Sequence, residues 1–429
     1  MSGYPHAASP RPTDVNYDEG RVPPYVLPEA LTCRDGTPVR TAEEWLARRR
    51  PELLELFANE VYGRTPGQGV VAAEPVACDV QALSGLSTRL ELDVRVRAHD
   101  AATSALTLRL LVWLPNRVLT PAPALLGLNL SGNQTVHPDP GIRLAAGWVA
   151  NSAELGITQW AATEASRGLH ARRWPVELVV SRGYALATLY AGDIDPDFHD
   201  GFRNGAHGLF RDDTDGEWPA DAWGSIGAWA WGLSRALDVL STIERIDAAR
   251  VGVIGHSRLG KAALWAGAQD PRFAWVVANN SGRGGAAISR RRFGELTRHL
   301  NERFPHWFAA NFRAYDDREH ELPVDQHELL ALIAPRPVYV ASAEHDLWAD
   351  PRGELAACRN ATPVYELFGL RGLTGAGDDV PISGSLEDHI GYHRRPGGHD
   401  ILAADWWHFL DFTDRHRGSQ ASSHPCVTP

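Results

Sequence analysis

The chain of 429 residues has the composition of a globular protein, with 44% hydrophobic and 22% charged residues. Its formal net charge of −11 argues against nucleic acids and anionic membranes as partners. No run approaches the roughly 20 apolar residues that a membrane span needs, and no secretion signal is visible at the start. The four cysteines have neither metal-ligand nor disulfide-scaffold spacing: Cys33, Cys78, Cys358 and Cys426. We expect a monomer that acts without a metal or cofactor.

The first half of the chain predicts a helix and then several strands. Apolar residues recur at helical spacing from Thr41 to Tyr62. Residues 87–98 and 105–114 alternate apolar and polar, which is typical of half-buried strands. Five short apolar runs that end in Gly, Ser, Asn or Asp follow, as expected for buried strands of a mostly parallel sheet: 123–132, 184–194, 249–257, 273–282 and 335–346.

Helical patterns at 224–243, 260–269 and 404–416 complete a strand–helix alternation. This alternation predicts an α/β three-layer sandwich whose functional groups lie at the carboxyl ends of the strands. A segment rich in Arg, His and Phe interrupts it and is interpreted as an insertion beside the site. We therefore predict three parts: a packed N-terminal extension (1–65), an α/β domain (66–416) with its insertion at about 283–330, and a C-terminal tail (417–429).

The motif with the clearest chemistry runs from Gly255 to Gly260, between a predicted strand and a predicted helix. A serine on such a sharp turn, here Ser257, lifts its hydroxyl clear of the sheet beside the backbone N–H groups of the helix N-terminus. The stretch from Gly255 to Lys261 also fits a phosphate-binding loop. The next residue is Ala262, however, which lacks the hydroxyl that would hold Mg²⁺, so the pattern favours a nucleophile.

A serine nucleophile needs a base and a carboxylate, and both occur later in the chain in the expected order. His399 follows a Gly-Gly turn and precedes the last helix, and it is the candidate base. Asp346 follows the strand at 335–346 and is the candidate acid, with Glu344 as the alternative. The histidine would take the seryl proton, and the carboxylate would stabilise the imidazolium.

Lysine usage singles out one more position. Of the 42 Lys and Arg residues, 41 are arginine, and Lys261 is the only lysine. A compact ammonium group on a flexible stem can serve where a planar guanidinium cannot. Lys261 lies one helical turn after Ser257 and therefore on the same face of the helix, which favours a role in the site over chance retention.

Several stretches resemble the glucuronoyl esterases, carbohydrate esterase family 15. They include the Ser257-Arg258-Leu259-Gly260-Lys261 motif and together span about 120 to 415: 190–210, 254–295, 304–315, 335–354 and 394–412. The resemblance implies an α/β-hydrolase, secreted or periplasmic, that cleaves esters between lignin alcohols and 4-O-methyl-glucuronic acid on glucuronoxylan.

The resemblance also implies individual roles. Ser257 would be the nucleophile and His399 the base, while Arg258 would stabilise the oxyanion through its backbone N–H and its guanidinium. Sugar contacts would come from Lys261 and from two residues in the matching stretches, Glu295 and Trp348.

The sequence departs from many family members at two positions. His256 replaces a cysteine, and we interpret it as a packed neighbour of the nucleophile. Asn280 replaces the glutamate that supplies the triad carboxylate in many members, so we assign the acid to Asp346 and expect Asn280 to contribute little. Arg283 is expected to bring an extra cation near the pocket. Two alternatives stay open: an esterase for acetyl or simple alkyl esters, and a catalytically impaired carbohydrate-binding homologue.

Overall fold

The computed structural model describes residues 12–98, 105–211, 218–373 and 385–417. The predicted tail at 417–429 lies outside the described residues except for Arg417, as do residues 1–11 of the predicted extension. Within the described ranges, no helix combines the length and the apolar character that crossing a membrane would require.

A single ten-stranded sheet organises the chain in the order β1-β2-β3-β5-β4-β6-β7-β8-β10-β9. The strands β1, β2 and β3 pair antiparallel, β5 pairs antiparallel with β3, and β9 pairs antiparallel with β10. From β5 to β10 the six central strands run parallel. Their bounds are Val70–Asp79, Ser87–Arg97, Leu106–Pro115, Ala122–Asn129, Ala185–Tyr190, Ile246–His256, Val276–Asn279, Val338–Ala343, Ser385–Glu387 and Ile390–Arg395, for β1 to β10.

Helices cover both faces of the sheet. The predicted helix at 41–62 is confirmed: Thr41 caps it, and α-helical and π-helical turns alternate from Ala42 to Tyr62. The bounds of α1 to α11 are Ala42–Glu44, Arg50–Phe57, Val176–Ser181, Ala191–Ile194, Gly205–Phe210, Ser225–Leu240, Arg258–Gln269, Thr297–Arg303, Gln326–Ala331, Pro351–Leu367 and Ala403–Arg415.

The hydrophobic core lies in two layers, one on each face of the sheet. On one face α6, α7, α9 and α10 pack with the N-terminal helices, and the fully buried Trp229 and Trp265 lie there. On the other face α3 and α11 cover the sheet around Trp275 and Trp406. The predicted α/β three-layer architecture is confirmed, and the buried runs that predicted strands do form the central strands.

Three strands escaped the sequence analysis because they lie at or near the edges of the sheet. Strand β1 has no buried residue and carries Pro75 at an irregularity in its pairing with β2. An edge strand tolerates proline and needs no apolar alternation, so it leaves no clear pattern. Strands β9 and β10 are short, and β10 reads Ile-Gly-Tyr-His-Arg-Arg, which is too polar to predict a buried strand.

The N-terminal helices are bound to the domain by polar contacts as well as by packing. Arg49 forms a buried ion pair with Glu328 of α9 at 2.7 Å. Arg50 donates to the backbone carbonyl of Ala268, at the end of α7, at 2.7 Å. Residues 42–62 therefore brace the helix that begins at the predicted nucleophile.

Four neighbouring parallel strands position the predicted site. In sheet order these are β6, β7, β8 and β10, and their carboxyl ends lie on the same edge of the sheet. Ser257 follows β6, Asn280 follows β7, Asp346 lies shortly after β8, and His399 lies in the loop after β10. The topology alone therefore brings four distant parts of the chain to one place.

Candidate active site

Ser257 occupies a sharp turn between β6 and α7. Its backbone has φ 59° and ψ −130°, a region that residues other than glycine rarely adopt. A side chain on Gly255 would collide with the backbone of Leu259, so the turn needs a glycine there. Strain of this kind is retained where it serves a function, and here it exposes the hydroxyl of Ser257.

His399 links Ser257 to Asp346. Its Nε2 lies 2.8 Å from Ser257 Oγ, and its Nδ1 lies 2.6 Å from Asp346 Oδ2. An ionised carboxylate only accepts hydrogen bonds, so Nδ1 carries the proton and Nε2 is free to accept from the serine hydroxyl. Asp346 is 3% exposed, whereas the His399 side chain is one-third exposed. This arrangement has the connectivity needed for base-assisted attack by a serine.

The alternative acid, Glu344, lies elsewhere. Its Oε2 is 3.8 Å from Nε2 of His345, and its side chain is partly exposed. The carboxylate that the structure brings to His399 is that of Asp346.

Arg258 begins α7, so its backbone N–H lies in the first turn of the helix beside Ser257. Its guanidinium is fixed by an ion pair with Asp197 and lies over the rings of Phe304 and Trp307, 5.1 and 4.6 Å from their centroids. A cation held in this way keeps its orientation without substrate.

Asp197 is the anchor of Arg258 and was not predicted from the sequence. It also accepts from Trp307 Nε1 at 2.8 Å and contacts His306 Nε2 at 3.0 Å. Burial opposes ionisation, but the charge of Arg258 and these contacts outweigh it and hold the pKa of the Asp197 carboxyl below its usual range. Asp197 is therefore ionised and can fix the guanidinium.

Lys261 and Glu295 form a buried pair. The Lys261 Nζ donates to the carbonyls of Ser281 and Arg283 at 2.6 and 2.7 Å, and it lies 3.8 Å from Glu295 Oε2. Burial lowers the pKa of Lys261, and the Glu295 carboxylate partly opposes that effect. The ammonium group thus joins the turn after β7 to the insertion.

Trp348 contacts two side chains of α8. His299 stacks on its ring with centroids 5.7 Å apart, and the guanidinium of Arg303 lies 5.5 Å from the ring centroid. Arg303 was not predicted as a site residue. Helix α8, which carries it, has no motif that would distinguish it from a surface helix.

A cavity opens at Ser257. The predicted residues Ser257, Arg258, Lys261, Glu295, Trp348 and His399 all line it, and Asp346 is buried behind His399. The remaining lining residues are Asn280, Ser281, Gly282, Arg303, Phe304, Trp307 and Ala349. A cavity lined by both polar and aromatic side chains has the chemistry to bind a small-molecule substrate group.

Arg283 lies beside the cavity, as expected, but does not line it: burial and, to a smaller extent, the nearby charge of Arg283 lower the pKa of the cavity residue Lys261. The Arg283 side chain is 2% exposed and is not among the residues that line the cavity. Its Nε donates to the Glu295 carbonyl at 2.7 Å, and its Nη1 contacts the Ser289 carbonyl. Arg283 therefore fixes the backbone that carries Glu295, and the additional cation in the cavity is Arg303.

His256 packs against the base, in line with its interpretation as a neighbour of the nucleophile. Its ring centroid is 4.7 Å from that of His399, and its Nδ1 is 2.6 Å from Asn279 Oδ1. Burial, reinforced by the nearby His399, lowers the pKa of His256 to about 3, so this ring is neutral. The described ranges contain no group of three or more His, Cys, Asp or Glu side chains placed to hold a metal ion.

The chain is similar to known proteins over most of its length. A family model described as "Glucuronyl esterase, fungi" matches residues 218–369. The chain is 44% identical to "Carbohydrate esterase MZ0003" from an unknown prokaryotic organism, over 95% of this chain and 93% of that protein. The chain belongs to the glucuronoyl esterase family.

Two solved structures of the family are similar over almost their whole length. A promiscuous CE15 esterase from a marine bacterial metagenome has a TM-score of 0.87 and 44% identity, covering 94% of this chain and all of that one. A glucuronoyl esterase from Solibacter usitatus has a TM-score of 0.86 and 44% identity, covering 93% of this chain and all of that one. The predicted family and the α/β-hydrolase fold are confirmed.

Proposed function

We propose that this glucuronoyl esterase family member hydrolyses esters of glucuronic acid, with or without a 4-O-methyl group, through an acyl-enzyme on Ser257. The observation that carries the proposal is the position of His399, in contact with both Ser257 and Asp346 at the mouth of a cavity that contains three cationic side chains. The contact between Asp346 and His399 argues against the impaired-homologue alternative, because it gives His399 a carboxylate partner although Asn280 is not one.

The first half-reaction forms the acyl-enzyme. Ser257 Oγ attacks the C6 carbonyl carbon of the ester while its proton passes to Nε2 of His399. The negative charge that develops on the carbonyl oxygen is stabilised by the backbone N–H and guanidinium of Arg258. As the intermediate collapses, the bond from C6 to the alcohol oxygen breaks, and His399 returns the proton to the departing alcohol.

The second half-reaction releases the acid. Water attacks the acyl carbon and gives a proton to His399, and the bond from C6 to Ser257 Oγ then breaks with that proton returning to the serine. Throughout, the Asp346 carboxylate holds the imidazole in the required tautomer and stabilises its charged form.

The cavity also has the chemistry to recognise a uronate ring. The ester substrate is neutral at C6, so Arg258, Lys261 and Arg303 would act as hydrogen-bond donors to its sugar oxygens and would stabilise the negative charge that develops during attack. The ring of Trp348 offers an apolar surface for the C–H face of the sugar, and Glu295 can accept from its hydroxyls.

Because xylan lies outside cells, we place this activity in a secreted or periplasmic enzyme.

A second candidate function is the hydrolysis of simple esters. It is favoured by one comparison, since the structurally similar marine CE15 enzyme is described as promiscuous. The triad and the oxyanion contacts do not by themselves require a sugar. In a glucuronoyl esterase the cationic side chains of the cavity raise kcat/KM for glucuronate esters, whereas in a simple esterase they do not.

We expect kcat/KM for benzyl glucuronate to exceed that for p-nitrophenyl acetate by at least about 100-fold, once the intrinsic reactivity of each ester is normalised to its hydroxide-catalysed rate. The measurement is steady-state hydrolysis of both esters by the same preparation. A normalised ratio near one would favour the simple esterase instead.

Lys261→Arg is expected to raise KM for benzyl glucuronate by about 10-fold while changing kcat by less than about 3-fold. The reason is geometric: a planar guanidinium cannot place donors on the Ser281 and Arg283 carbonyls and on Glu295 within the same buried volume. The measurement is KM and kcat beside Arg318→Lys, a surface control whose side chain is 58% exposed. An unchanged KM for Lys261→Arg would show that the lone lysine carries no recognition role.

A further inference from the structure

Asn280 contacts the carboxylate that supports the base. Its Nδ2 donates to Asp346 Oδ2 at 2.8 Å, the same oxygen that accepts from His399 Nδ1. A carboxylate accepts only, so the amide must present its NH₂ group to it. Asn280 is 1% exposed, and within the described ranges its Oδ1 has no hydrogen-bond partner. The contact with Asp346 is therefore the bond for which this side chain is oriented, contrary to the expectation that Asn280 contributes little.

The backbone of Asn280 is held in a conformation that points to the same conclusion. Its φ is 46°, in the left-handed region, where asparagine is one of the few residues other than glycine that fit. Its N–H donates to the Ala341 carbonyl of β8 at 2.7 Å, which joins the turn to the strand that precedes Asp346. The left-handed backbone is thus fixed from the neighbouring strand.

The turn after Asn280 is fixed by a buried carboxyl. Glu354 accepts from the Gly282 N–H at 2.9 Å, from Ser281 Oγ at 3.1 Å and from Ser342 Oγ at 2.6 Å. Burial raises the pKa of Glu354 to about 7, and the hydrogen bonds only partly oppose this. The Ala341 carbonyl thus binds the turn at Asn280, and the Glu354 carboxyl binds it at Ser281 and Gly282. Together these hydrogen bonds hold the Asn280 amide against Asp346.

We propose that Asn280 is a positioning residue of the catalytic triad, which orients the Asp346 carboxylate and reduces the basicity of the oxygen that faces His399. This inference rests on the proposed function. The N–H of the neutral Asn280 amide draws electron density from Asp346 Oδ2. That oxygen therefore attracts the proton of the imidazolium less strongly. Asp346 then stabilises the imidazolium less strongly than a carboxylate bonded to His399 alone would.

Two titratable groups near Asp346 in the part of the chain that the structure describes are His399, from the loop after β10, and Glu354, from α10. Loss of the Asn280 amide leaves both in place. The acid limb of the pH–rate profile should therefore move upward, because Asp346 Oδ2 then stabilises the imidazolium more strongly.

The test is the pH profile of Asn280→Gly on benzyl glucuronate. Glycine adopts the left-handed backbone without cost, so the variant removes the amide and leaves the turn intact. We expect kcat to fall about 10-fold, KM to stay within about 2-fold, and the acid limb of kcat/KM to move up by about 0.5 pH unit or more. Asn280→Ala, which also removes the amide but strains the left-handed backbone, is the second variant and should move the acid limb in the same direction.

Asn301→Ala is the matched control. Asn301 is also a buried asparagine that donates to an aspartate, Asp316, at 2.7 Å, and its loss should leave the pH profile unchanged. An acid limb that coincides with wild type in the Asn280 variants would overturn the proposal, whether or not activity or the melting temperature falls. Ser257→Ala in the same assay separates the two hypotheses, since activity in that variant would refute the proposed function instead.

Discussion

Ser257→Ala lowers kcat for benzyl glucuronate by at least about 10⁴-fold, because no acyl-enzyme can form without the seryl oxygen. The side chain removed is a single hydroxyl on a turn whose backbone is set by its neighbours. The fold and the cavity are therefore expected to persist, with the melting temperature close to that of wild type. The measurement is kcat from product release, together with thermal unfolding of the same preparation.

Ser241→Ala is the control for this substitution. Ser241 is an exposed serine directly after α6 that does not line the cavity, and its replacement should leave kcat unchanged. Wild-type kcat in Ser257→Ala would mean that another group attacks the ester, and the assignment of the nucleophile would be wrong.

Asp346→Ala is expected to lower kcat by about 10³- to 10⁴-fold with KM changed by only a few-fold. The carboxylate touches the imidazole and not the cavity, so its loss should affect the chemical step far more than binding. Without it, the imidazole can turn to the wrong tautomer, and the imidazolium that forms during attack is not stabilised. The measurement is kcat and KM for benzyl glucuronate.

Glu344→Ala provides the comparison, since Glu344 lies two residues before Asp346 and contacts His345 instead of His399. We expect this variant to keep kcat within about 2-fold of wild type. If Glu344→Ala lost as much activity as Asp346→Ala, the triad carboxylate would be misassigned.

The sequence was sufficient to place Ser257 and His399, and the reason is that each has a local pattern. Ser257 follows a buried strand and is flanked by the small residues that a sharp turn demands. His399 follows a Gly-Gly pair and precedes an amphipathic helix. The choice of Asp346 over Glu344 was harder, because both follow the same strand and only the turn after β8 decides which of them faces the base.

Residues that act through distant contacts could not be read from the sequence. Asp197 is one of four aspartates within eight residues, and only the fold shows that it anchors Arg258. Arg303 lies at the end of α8, a short polar helix. Only the packing of that helix in the fold brings the Arg303 side chain to the cavity. From the sequence, Asn280 was expected to contribute little because it has no carboxylate. In the structure its amide donates to the carboxylate of Asp346.

The most direct test of the account is to trap the acyl-enzyme. Wild-type protein is mixed with benzyl glucuronate, quenched with acid within the first turnovers, digested and analysed by peptide mass spectrometry. The account predicts one added glucuronoyl group on the peptide that contains Ser257, and none in Ser257→Ala. Release of benzyl alcohol at the wild-type rate with the glucuronoyl group on a different residue would contradict it.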